Sequence, residues 1–192
     1  MKTSLWREHV LPFAAILGLL AAVTVLGDYL LHRLNLVWVG RYLGIPGTLL
    51  IIGSMYYSLR KRKYVTSGDP KTLLNMHEIG AWLGSSLVLI HAGIHFNAIV
   101  PWLATAAMAV NVISGLVGKM LLARARQHVL GAREHHATRG LSKTEVERAV
   151  FWDAVALGAM AQWRKVHIPI FLAFAVLALG HIFSIFLFWG WV

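Results

Sequence analysis

The sequence predicts an all-α integral membrane protein, a bundle of five transmembrane helices. Three observations predict it. The 192 residues are 58% hydrophobic and only 14% charged, with a mean hydropathy of +0.65, a balance found in lipid-embedded chains. Five apolar stretches each approach the length of roughly 20 residues that crosses a hydrocarbon core of about 30 Å. The basic residues sort almost wholly to one side of those stretches.

The first stretch covers residues 11–31. Lys2 and Arg7 before it resemble the start of a signal peptide, but the run is long and no small-residue cleavage site precedes Asp28, so it reads as a retained first span. The second, 42–59, is the shortest. The third and fourth, 73–100 and 102–122, are divided by a turn near Asn97 and Pro101, because proline disfavours helix in the residue before it. The fifth covers 166–189. The segment of about 123–165 between the last two spans is the one sizeable extramembrane piece. In it Ser142 precedes Glu145 by three residues, a capping-box pattern, and Val146, Val150 and Phe151 follow. This predicts a helix lying on the cytoplasmic membrane surface. With no internal duplication and no low-complexity tract, residues 1–192 read as a single domain.

Charge sets the orientation. Of the 18 Lys and Arg, two (Lys2, Arg7) precede span one and five (Arg60, Lys61, Arg62, Lys63, Lys71) follow span two. Nine more lie at or after the end of span four: Lys119, Arg124, Arg126, Arg133, Arg139, Lys143, Arg148, Arg164 and Lys165. Only Arg33 and Arg41 fall on the other side. The positive-inside rule then makes the amino terminus cytoplasmic and the carboxyl terminus external, with Phe188, Trp189 and Trp191 as an interfacial aromatic anchor. The same sorting explains the net charge of +10 without a nucleic-acid partner.

Histidine carries the chemistry. His77 and His91 lie 14 residues apart in span three, and His167 and His181 lie 14 apart in span five. Fourteen residues return a helix to within about 40° of its starting face and advance it about 21 Å. Spans three and five run in the same direction, since one crossing separates them. His77 therefore meets His167 at the cytoplasmic level, and His91 meets His181 at the outer one. Histidines inside a bilayer are costly and are by default functional. Two imidazoles at each of two levels suit two haems, each with paired axial ligands. There is no cysteine, which excludes disulfides, thiolate metal sites, covalently attached haem and protein-held iron–sulfur clusters. The haems are therefore expected to be b-type.

Neighbouring residues fit in two ways. Gly84, midway between His77 and His91, either admits a porphyrin or, with Gly80, forms a small-xxx-small contact between helices. Phe174, midway between His167 and His181, fills the gap between two macrocycles or simply packs. His95, four residues past His91, shares its face and is an alternative ligand; otherwise it bonds a propionate, carries protons or sits at the interface. Glu78, beside His77, is placed to tune the inner haem or to shuttle protons. His128, His135 and His136 lack the spacing of a zinc site. Asp28, Asp69, Glu78, Glu134, Glu145, Glu147 and Asp153 offer no paired-carboxylate spacing, and no dinucleotide fingerprint occurs.

The stretch His77-Glu-Ile-Gly-Ala-Trp-Leu-Gly, with Ile90-His91-Ala-Gly-Ile-His95, resembles the third helix of ferric-reductase-like and NADPH-oxidase transmembrane domains, which are di-haem, bis-histidine cytochrome b membrane subunits. Trp163-Arg-Lys-Val-His167-Ile-Pro-Ile, leading to Gly180-His181, resembles their matching later helix. The resemblance covers spans three to five. It implies two b-type haems, with His77, His91, His167 and His181 as the axial ligands to haem iron. Those reductases also carry a cytoplasmic flavin and nicotinamide domain, for which this sequence shows no motif. The expectation is thus an electron-transfer subunit of an oxidoreductase complex in a bacterial or archaeal cytoplasmic membrane. It would link other redox subunits to the quinone pool, with quinone and lipid as further partners. One alternative is a haem subunit fed by a cytoplasmic flavoprotein. Another is a non-redox scaffold or transporter.

Overall fold

The computed structural model describes residues 11–94 and 98–188. His95 lies outside the described residues, as do Lys2, Arg7, His9, Asn97, Trp189 and Trp191. All regular structure among the described residues is helical, with five segments long and apolar enough to cross a membrane.

Helix α1 is Leu11–Arg33. The second span, Val37–Lys61, is three pieces: α2 (Val37–Tyr42), α3 (Gly44–Ser54) and α4 (Tyr56–Lys61). Pro46, in the first turn of α3, has no N–H for the Tyr42 carbonyl, which breaks the ladder at Leu43. At the second break the Ser54 hydroxyl turns back 2.7 Å to the Ile51 carbonyl, a bond that bends helices. Helix α5 (Pro70–Ile94) opens with Pro70 as its first residue. Asp69 caps it, accepting from the Thr72 amide at 2.8 Å and the Thr72 hydroxyl at 2.9 Å. Helix α6 (Ile99–Leu116) tolerates Pro101 in its first turn, where the missing N–H has no intrahelical partner to lose.

The largest departure from the sequence reading is on the basic side. The helix of span four does not stop near 122. It passes through a π-helical turn, Val117–Leu122, into α7 (Ala123–Thr138). After the short α8 (Lys143–Ala149), α9 runs unbroken from Phe151 to Phe188. The fourth apolar segment is 40 residues and the fifth 38, about 60 and 57 Å at helical rise, against a hydrocarbon core of about 30 Å. The surplus of α7 and early α9 packs together as a helical projection. Ser142 does cap α8 in a complete capping box with Glu145. However, Val146 and Val150 are buried together with Val129 of α7 in the projection's own core, where the sequence reading had set them against lipid. Phe151 alone of that trio stays exposed.

Helices α3 and α5 pack closely, as do α6 and α9, with α1, α2 and α6 also against α5. Glycine makes the α3–α5 approach possible: a Cβ at Gly84 would stand 2.7 Å from the Gly47 carbonyl oxygen and 2.8 Å from Ile51. Of its two readings, Gly84 takes the helix-packing one, and its face is filled by α3. The outward faces of α9 are apolar and exposed, as at Val176, Leu179 and Phe183, which suits lipid contact.

Candidate functional site

The breaks in the second span create acceptors. At the α3–α4 junction the Ser58 amide bonds the Met55 carbonyl at 2.8 Å, so the Ser54 carbonyl is relieved of its usual i+4 amide. Nδ1 of His77 donates to that carbonyl at 3.0 Å. At the α2–α3 junction the Gly40 carbonyl receives only a long 3.3 Å bond from the Leu43 amide, and Nδ1 of His91 donates to it at 3.2 Å. A Cβ at Gly44 would lie 2.9–3.1 Å from the His91 ring, so a glycine there seats the imidazole. A carbonyl can only accept, so in both histidines Nδ1 carries the proton and Nε2 the lone pair. That is the arrangement of a metal-ligating histidine, whose second nitrogen is held by an outer partner.

Helix α6 does the same for α9. The Ser114 hydroxyl is 2.6 Å from Nδ1 of His167 and can accept from it, again leaving the lone pair on Nε2. Ser114 and Asn111 are almost fully buried, and the Asn111 amide also bonds the Ala107 carbonyl at 3.1 Å. Pro169, two residues past His167, lies inside α9 and removes the amide partner of the Lys165 carbonyl, loosening the helix beside the ligand candidate.

One of the two histidine pairs that the spacing predicts is in ring contact. The His91 and His181 rings stand 6.4 Å apart, centroid to centroid, with planes tilted by 51°. Two metal–nitrogen bonds of about 2 Å and two ring radii of about 1.1 Å span about 6.2 Å. The separation thus fits two imidazoles on opposite sides of one metal. His77 on α5 and His167 on α9 are the two histidines that the spacing assigns to the other level. All four are half-buried. Between the levels lies the apolar core of Phe174, Ala104 and Met108, with Ile51, Val88 and Leu89 against it. Phe174 is thus where the sequence spacing put it, separating the two pairs. Among the described residues, no three His, Cys, Asp or Glu side chains converge on a bare-metal site. Two imidazoles at one level leave most of a metal's coordination positions to be filled by some other group.

Around the basic-end pair, Tyr57 stacks on His77 at 5.6 Å and 28°, and the Lys61 ammonium lies 5.7 Å from the Tyr57 ring centre. Glu78 is ion-paired with Lys119 in the π-helical turn. His128 approaches Asp153 at 3.7 Å, and His135 meets His136 edge to face; both contacts belong to the projection.

No family model, curated protein or solved structure matches this chain.

The ring-orienting partners were invisible to sequence reasoning. Backbone carbonyls leave no residue signature. Ser114 had one faint signal, a small polar residue within an apolar span.

Proposed function

We propose that this chain is the cytochrome b subunit of a membrane oxidoreductase complex, carrying electrons across the bilayer between partner redox subunits and the quinone pool. His77 with His167 would hold one b-type haem, and His91 with His181 the other. The observation that carries this reading is the His91–His181 ring separation of 6.4 Å, with the Nδ1 of His91 engaged by the Gly40 carbonyl. When bound, haem supplies reversible one-electron chemistry. The residues do the rest. Ser54, Gly40 and Ser114 fix the rings, and so preset the direction in which each lone pair points. Phe174 and its neighbours keep water out of the space between the levels and hold the pairs at separate depths.

The charge sorting supports an amino terminus and projection on the cytoplasmic side of a bacterial or archaeal cytoplasmic membrane. A second reading, a haem subunit fed by a cytoplasmic flavoprotein, is favoured by one observation: the projection carries Arg124, Arg126, Arg133 and Arg139, and although Arg133 is paired with Glu147 the projection stays net positive, which would draw an acidic partner.

The test is a reduced-minus-oxidised spectrum with haem quantitation on the purified complex. Wild type should show b-type absorbance, and the His77→Ala, His91→Ala double variant should lose it. An unchanged spectrum in that variant would refute the proposal.

A further inference from the structure

The first three turns of α9, within the projection, carry an exposed apolar side. In residues 151–162 the one charged side chain is Asp153. At about 100° per residue, Trp152, Val155, Ala156 and Ala159 fall within about 100° of one another. All four are exposed, Trp152 to 77% and Val155 to 48%. Phe151 and Gly158 extend the same exposed side. Ala154, Leu157 and Ala161, on the opposite side, are less exposed. A helix that stands in water with one side packed ordinarily turns polar residues outward, and this one turns alanine, valine and tryptophan outward. A contiguous patch of that kind marks an interaction site.

Length and charge decide what covers it. Residues 166–188 of α9 rise about 34 Å, enough to cross a hydrocarbon core of about 30 Å, and the headgroup layer adds only about 5–8 Å on each side. Trp152 lies 13 residues before Lys165, about 20 Å further along the helix, beyond the reach of acyl chains. The occupant is therefore protein. Residues 123–165 hold eight Lys and Arg against four Asp and Glu. Lys143 and Arg148 line one groove with Phe151 and Trp152, and the acid in that groove, Glu147, is paired with Arg133 at 2.9 Å. A second copy of the chain would set this positive surplus against itself, whereas an acidic surface complements it. We propose that the exposed side of early α9, edged by Lys143 and Arg148, is the docking face of a peripheral protein subunit with an apolar centre and an acidic rim. The apolar contact holds the partner, and the cations guide and orient it. Calling that subunit a redox partner rests on the di-haem reading; the docking face does not.

The chain has no cysteine, so single-cysteine variants report one position each. Val155→Cys and Ala159→Cys on the face, and Ala137→Cys on the exposed end of α7, are labelled with a charged maleimide in native membrane fragments open on both sides. Labelling should be lost at the first two and retained at Ala137→Cys. An alkaline wash that strips peripheral proteins should restore it. Lys143→Glu with Arg148→Glu, added to Val155→Cys, should restore it without the wash. Full labelling of the face in unwashed membranes would overturn the proposal. So would protection that survives the wash, which means lipid or a second copy; a disulfide-linked dimer on oxidation identifies the second copy. Protection that ignores the two charge reversals would overturn the acidic partner. The b-type absorbance of the same membranes is read separately: its absence refutes the di-haem reading and leaves the docking face to stand or fall on the labelling.

Discussion

The hydroxyl of Ser114 on α6 stands 2.6 Å from Nδ1 of His167 on α9. This bond crosses between two helices and fixes which way the imidazole turns. Outer partners of this type are worth about 10–100-fold in metal affinity. Ser114→Ala should therefore weaken haem retention at that level by a factor in that range, measured as haem per protein after detergent washing, and should spare the His91–His181 level. Equal loss from both levels would mean that the substitution acts on folding.

Each level should also stand alone. His181→Ala removes one ring of the 6.4 Å pair but touches nothing at His77. About half of the b-type absorbance should remain in it, and the complementary half in His167→Ala. Complete loss from either single variant would contradict two independent sites.

The α3–α5 crossing is built on backbone contact. A valine at Gly84 would drive carbon into the Gly47 carbonyl and Ile51, and overpacking of that kind costs about 1–3 kcal/mol. Gly84→Val should lower the thermal midpoint in detergent, and Gly53→Ala, where a Cβ meets nothing within 4 Å, should not. The same comparison checks that Gly84 serves helix packing.

On the projection, hydrogen bonds from Ser142 hold the Glu145 carboxyl below its ordinary value of 4.5. A depressed folded-state value means the capping box stabilises α8 fully above the ordinary value and loses that contribution as pH falls through the depressed one. Amide protection factors in α8, which correct for the intrinsic pH dependence of exchange, should be largest near neutrality and fall relative to α7 once the pH drops below 4.5, and Ser142→Ala should abolish the difference. Separately, Val129→Ala should loosen the whole projection by about 1–3 kcal/mol through the cavity it leaves.

The five apolar spans and the meeting of His91 with His181 were legible because both rest on periodic side-chain pattern. Phe174 was legible by the same arithmetic. What the pattern could not show was the division of span two, since Pro46 and Ser54 each act through a single backbone or side-chain bond and leave the apolar run intact. The length of α9 was also hidden. Arg164 and Lys165 mark a membrane boundary in the sequence, but a helix can run straight through such a boundary when α7 supplies a partner for it. Val146 and Val150 were read as lipid-facing for the same reason: the burial site offered by Val129 exists only once α7 is known to extend that far.

That projection constrains whatever meets the chain on its charged side. Phe151, where α9 begins, is 16 residues before His167, about 24 Å along the helix, and α7 extends further still, to Thr138. On the di-haem reading proposed above, an electron donor or acceptor perched on the summit would be too remote for a direct hop. Productive contact must come from the flank, low against the lipid, with the stalk acting as a fence that dictates the side of approach.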